Sequence, residues 1–118
     1  MAKILIVDDD PTIRTLCVGM LNEHDCIEAG NGFEALRQFE SQLIDLVITD
    51  LVMPEMNGND LIQKLQSMKQ KLPILAITGS VGESSVRTQF RKRFPDVPLL
   101  EKPFAQRDLI EHVNSLAR

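Results

Sequence analysis

Five short apolar runs alternate along this chain with five stretches of helical periodicity, and that alternation is its strongest constraint. The runs are Lys3 to Val7, Cys26 to Ala29, Asp45 to Thr49, Pro73 to Thr78 and Val97 to Glu101. They are short, mostly continuous and rich in β-branched residues, as strands buried on both faces are. Between and after them, apolar residues recur at spacings of three and four. Ile13, Leu16, Cys17, Met20 and Leu21 mark the first helix, which starts at Pro11 behind Asp10 as N-cap. Phe33, Leu36 and Phe39 mark the second, after the turn Gly30-Asn31-Gly32, and Leu61, Leu65, Met68 and Leu72 the third. A thin line of Val86, Phe90 and Phe94 marks the fourth, over Glu83 to Phe94, otherwise polar or basic. Leu109, Ile110, Val113 and Leu116 mark the fifth, which lacks a capping side chain at Ala105. Alternation of this kind predicts an α/β fold, a parallel sheet with helices on both faces joined by right-handed crossovers. The connection Asn22-Glu23-His24-Asp25 is short, which predicts a brief or displaced second strand.

In such a sheet every strand ends on one edge, and open α/β sheets place their chemistry there. The first run ends in Asp8-Asp9-Asp10, the third in Asp50, the fourth in Thr78 and the fifth in Lys102. After Asp50 the chain breaks into Leu51-Val52-Met53-Pro54-Glu55-Met56-Asn57-Gly58, punctuated by proline and glycine. Three carboxylates in one crevice raise one another's pKa unless a cation intervenes. Hard oxygen ligands and phosphate chemistry point to magnesium. Asp9 and Asp50 are direct-ligand candidates, with Asp8 acting through water and the carbonyl of Val52 adding an oxygen. Asp50 then reads as the acceptor of a phosphoryl group, Lys102 as its counter-charge and Thr78 as a hydroxyl donor. Taken singly, each has an ordinary reading: Asp8 and Asp9 as helix-dipole partners, Asp50 as a turn aspartate, Thr78 as a strand residue, Lys102 as a surface lysine.

Length and charge narrow the field further. A chain of 118 residues is one domain, 1–118, able to bury a core without staples. Thirteen basic against 17 acidic side chains leave a net charge of −4, which argues against nucleic acid or an anionic membrane as the main partner. Cys17 and Cys26 lack metal-ligand spacing and read as reduced core thiols of a cytoplasmic protein. His24 and His112 read as surface residues, and Arg91-Lys92-Arg93 as a solvated face or a partner surface. There is no signal peptide and no long apolar span.

Taken together, Ile4-Leu5-Ile6-Val7-Asp8-Asp9-Asp10, the Asp50 segment through Gly58, Ile77-Thr78-Gly79 and Lys102-Pro103-Phe104 resemble the receiver domain of two-component response regulators. The resemblance spans the chain. It implies a flavodoxin-like (βα)5 sandwich with strand order 2-1-3-4-5. It implies phosphorylation at Asp50 by a histidine kinase or phosphotransfer protein, with magnesium in a pocket of Asp8 and Asp9. Thr78 and Lys102 would be the switch hydroxyl and the phosphate-binding lysine, and Lys102–Pro103 a cis bond. Output would be a shift on the face of the fourth helix, fifth strand and fifth helix, read by a downstream protein target; the protein would be a monomer or weak dimer and not a classical enzyme. The sequence departs from the pattern at Leu99, where the family usually has an aromatic residue, at Asn57, where an acid is common, and at Ala105. Val52 and Ser80 flank the site. Two other readings remain open: a haloacid-dehalogenase-like phosphohydrolase using Asp8, since Asp8-Asp9-Asp10-Pro11-Thr12 fits D-x-D-x-T, and a pseudo-receiver that binds without being switched.

Overall fold

The structure, a computed structural model, describes residues 1–79 and 84–117. Five parallel strands, β1 (Lys3–Val7), β2 (Asp25–Ala29), β3 (Leu46–Asp50), β4 (Ile74–Thr78) and β5 (Leu99–Glu101), form one sheet in the order β2-β1-β3-β4-β5. Five helices connect and follow them: α1 (Pro11–Met20), α2 (Gly32–Ser41), α3 (Gly58–Met68), α4 (Ser84–Arg93) and α5 (Gln106–Leu116). This is the flavodoxin-like arrangement that the resemblance implies.

The alternation of strand side chains divides the core in two. Leu5, Val7, Val47, Ile74 and Ala76 pack with Leu61, Ile62, Leu65 and Phe90 on the α2/α3/α4 side. Ile4, Ile6, Leu46, Ile48, Leu75 and Ile77 pack with Cys17, Leu21, Leu109 and Val113 on the α1/α5 side. Every residue of β3 and β4 is buried, which is why both read as unbroken apolar runs.

Several boundaries differ from the sequence expectation. The second strand is neither brief nor displaced: its five residues pair in full register with β1, from Lys3–Asp25 to Val7–Ala29. The short connection works because the His24 amide donates back to the Leu21 carbonyl and the Asp25 amide to that of Ala2. His24 is half-buried, its Nδ1 accepting from the Ala2 amide at 3.0 Å, so it ties down the N-terminus rather than standing free. His112 is also half-buried, against the Asp108 carbonyl. The third strand begins at Leu46, Asp45 instead receiving the Lys3 amide on its carboxylate. Pro73 likewise precedes β4. Val97 and Pro98 precede β5, the Val97 amide closing a turn onto Phe94. Leu72 is buried but lies past the end of α3, and Met68 and Leu16 are about half exposed.

The helix starts obey local chemistry. Asp10, Asn31 and Asn57 each accept a backbone N–H in the first turn of α1, α2 and α3; such a cap contributes about 1 kcal/mol. Asn57 therefore has a structural duty of its own at a position where acid is common. Ala105 makes no side-chain cap, as expected. In α4 all three residues of the basic run are exposed, and Arg93 also lies over the Phe94 ring and donates to Gln63 of α3. Outside the run, Arg87 pairs with Glu101 of β5 at 3.5 Å. Phe94, just past α4, is buried, and Phe90 is fully so, which anchors the helix more firmly than its sparse apolar line suggests. Ser80 and Glu83 lie outside the described residues.

Candidate functional site

The carboxyl edge of the sheet gathers the polar residues of four strand ends. Asp8 follows β1, Asp50 ends β3, Thr78 ends β4 and Lys102 follows β5. Parallel pairing sets their heights. Asp50 stands opposite Ile77, the Leu51 amide donates to the Ile77 carbonyl, and the Lys102 amide donates to the Thr78 carbonyl at 2.7 Å.

Burial of charge dominates this edge. Asp8 is 2% exposed and Asp50 5%, and Thr78 is fully buried. The Lys102 ammonium sits between the two acids, 3.0 Å from Asp8 Oδ2 and 3.2 Å from Asp50 Oδ2. One ammonium does not satisfy two buried carboxylates. Burial, and then the charge of Asp8, push the Asp50 carboxyl from its usual 3.8 up to about 6, against the opposing effects of Lys102 and the Val52 amide. Burial works to lower the pKa of Lys102, but its hydrogen bond to Asp8 and the charges of both acids outweigh this and raise it. The site thus carries an excess of buried negative charge.

Asp9 completes the cluster. It is exposed, yet one oxygen from each of Asp8, Asp9 and Asp50 lies within 4.8 Å of the others. Three hard oxygen donors with uncompensated charge are the donor set of a divalent cation such as magnesium. The loop after Asp50 folds back on the carboxylate, its Val52 amide 3.4 Å from Asp50 Oδ1. Gly58 is needed for that fold: an added Cβ would stand 2.3 Å from the Asp50 carbonyl oxygen. Glu55 takes a left-handed backbone, φ 70°. The Lys102–Pro103 bond is cis. Thr78 Oγ1 lies 3.3 Å from the Gly79 carbonyl oxygen, and Leu99 packs half-buried against the α2/α3/α4 core. Val52 is half exposed at the mouth of the site.

The expected residues Asp8, Asp9, Asp50 and Lys102 meet in one place, with Thr78 on the adjoining strand end. Burial, then Asp8, pushes the Cys17 thiol up to about 11 against the opposing charge of Lys102, and burial, Asp25 and Glu28 raise Cys26. Two features escaped the sequence reading. Arg14 reaches the Asp8 main chain and Glu28; its signal was a lone cation amid an apolar helical stripe. An apolar groove of about 510 Å³ runs beside Lys102, lined by Ile13, Leu16, Met20, Pro103 and Phe104. Among the described residues no helix is long and apolar enough to cross a membrane.

This geometry has close parallels. The chain superposes on a response regulator receiver domain protein from Clostridium thermocellum with a TM-score of 0.88, at 27% identity, over 99% of this chain and 94% of that one. It superposes on the Vibrio cholerae chemotaxis protein CheY4 with a TM-score of 0.85, at 30% identity, over 98% of each. It is 31% identical over 118 residues to the alkaline phosphatase synthesis transcriptional regulatory protein PhoP of Bacillus subtilis, covering 98% of this chain and 48% of that protein. The chain thus spans about half the length of that relative. Receivers are signalling domains rather than classical enzymes, phosphorylation-based signalling is their general function, and they generally bind magnesium through an acidic pocket. The family described as response regulator receiver domain matches residues 4–114, and this chain belongs to it.

Proposed function

We propose that this receiver accepts a phosphoryl group on Asp50 from a phosphohistidine of a histidine kinase or phosphotransfer protein. The observation that carries this reading is the Asp50 carboxylate itself, nearly buried, pointing at Lys102 and clustered with Asp8 and Asp9. An Asp50 oxygen attacks phosphorus, the phosphorus–nitrogen bond to the donor breaks, and the imidazole leaves with that electron pair. Asp9 and Asp50 would hold magnesium together with the Val52 carbonyl, and Asp8 would act through water. Magnesium, when bound, neutralises the acids and the charge on the transferring oxygens. Lys102 moves its ammonium from Asp50 toward a phosphoryl oxygen while keeping Asp8, and Thr78 donates its hydroxyl to another.

Phosphorylation adds a charge of about −2 at this edge. The responding face is α4, β5 and α5, where the Arg87–Glu101 pair and half-buried Leu99 adjoin Thr78 and Lys102. Leu99 has no ring to turn inward, so the shift here is one of α4 against β5, read by a downstream protein. The apolar groove of Ile13, Leu16, Met20 and Phe104, opening beside Lys102, supports docking of the donor protein over the site. Membership of the receiver family favours Asp50 over Asp8 as nucleophile.

Acetyl phosphate tests the chemistry without a partner. In magnesium the intact protein is expected to gain the mass of one phosphoryl group. Chelating the metal abolishes that gain. An equal gain under chelation would contradict the metal site.

A further inference from the structure

We infer that Arg14 is a positioning residue for the metal site, holding the Asp8–Asp9 peptide so that Asp9 can join Asp8 and Asp50 around one cation. From α1, Arg14 Nη1 donates to the main-chain oxygen of Asp8 at 2.5 Å. Its Nε donates to Glu28 Oε1 of β2 at 3.1 Å, as a salt bridge with the Arg14 side chain only 19% exposed. The other polar atoms of Asp8 are already engaged. Its amide donates to the Ala29 carbonyl, its Oδ1 accepts from the Asp10 amide at 2.9 Å, and its Oδ2 accepts from Lys102. Arg14 therefore fixes the one remaining group, the carbonyl of the peptide that leads into Asp9.

Asp9 needs that help. It is exposed, and among the described residues its carboxylate makes no hydrogen bond, so what restrains its reach is the main chain that carries it. A strand-end carbonyl must find a donor once it leaves the ladder, and a guanidinium supplies a charge-assisted one with a rigid fork. Glu28 holds the other tine, which fixes the side chain across the ends of β1 and β2.

The sign of one substitution separates positioning from bulk electrostatics. Arg14 is a cation near a cation site, so deleting its charge alone strengthens magnesium binding. Losing the peptide's orientation weakens it. Partners of this outer kind carry about 10–100-fold in metal affinity.

The experiment is a magnesium titration of the isotope-labelled protein, followed by amide NMR shifts of Asp8, Asp9 and Asp10, with no phosphodonor present. Arg14→Met is expected to weaken binding by about 10-fold. Glu28→Gln, which keeps an oxygen acceptor for Arg14 Nε and leaves the bond to Asp8 in place, is expected to weaken binding clearly less than Arg14→Met does. Unchanged or tighter binding in Arg14→Met overturns the inference, as does equal weakening in both variants, which would indicate loosened packing. If Arg14→Met does not fold, Arg14→Lys, which keeps the charge but not the fork, reads the same question, with weakening expected and parental affinity overturning it. The inference rests on reading the three aspartates as a magnesium site. No response from the unsubstituted protein would defeat both; a response that Arg14→Met retains in full defeats only the role of Arg14.

Discussion

Gly58→Ala is expected to lower stability by about 3 kcal/mol, a fall in Tm on the order of 10 °C for a domain of this size. Helix propensity alone points the other way, since alanine in place of glycine inside a helix gains about 1 kcal/mol. Contact geometry decides the sign. The new Cβ would sit 2.3 Å from the Asp50 carbonyl oxygen and 2.7 Å from Leu51 Cα. Both are main-chain atoms, one in the last residue of the fully buried β3 and the other in the residue after it, so neither can swing aside. Relief requires moving α3 or the end of β3, and the second displaces Asp50 itself. The variant therefore loses phosphoryl uptake along with stability. Thermal melting measures the first effect; a midpoint at or above that of the parent would contradict it.

Asp50→Asn is expected to stabilise the metal-free protein at neutral pH by about 2 kcal/mol. The sign follows from linkage. The Asp50 carboxyl titrates near 6 in the folded state against 3.8 as its usual value, so between those limits the native protein holds a proton that the unfolded chain has released. Its contribution is fully present below about pH 4 and is lost as pH rises through about 6. Asparagine removes that loss because it never ionises. Lys102 keeps its bond to Asp8 in the variant, so no buried ammonium is stranded. Urea unfolding in chelator checks this at pH 7.5 and near pH 4. The gain should be present at the higher pH and shrink at the lower. A variant less stable than its parent at pH 7.5, or a gain that ignores pH, would contradict it.

Much of this site was legible because its residues are punctuation. Asp50, Thr78 and Lys102 interrupt or end buried apolar runs, and a parallel sheet puts all such interruptions on one edge. The rest was hidden for identifiable reasons. The edge strand β2 is only partly buried and carries charge at Asp25 and Glu28, so its length is blurred in sequence. Leu16 belongs to the periodic stripe of α1 yet stays half exposed over a groove, because periodicity finds an apolar face but not what covers it. Arg14 escaped notice because the group it serves is a main-chain carbonyl, which carries no sequence signal. Asn57 departs from the family pattern but keeps a duty that an aspartate also fills: it caps α3 by accepting the Asp60 amide.

The central claim is that Asp50 takes the phosphoryl group, and locating that group tests it most directly. The protein is treated with acetyl phosphate and magnesium, reduced with borohydride to trap any acyl phosphate, and mapped by peptide mass. Reduction at position 50 alone, absent from Asp50→Asn, is the predicted result. A reduced residue at Asp8 or Asp9, or labelling that survives Asp50→Asn, would contradict it.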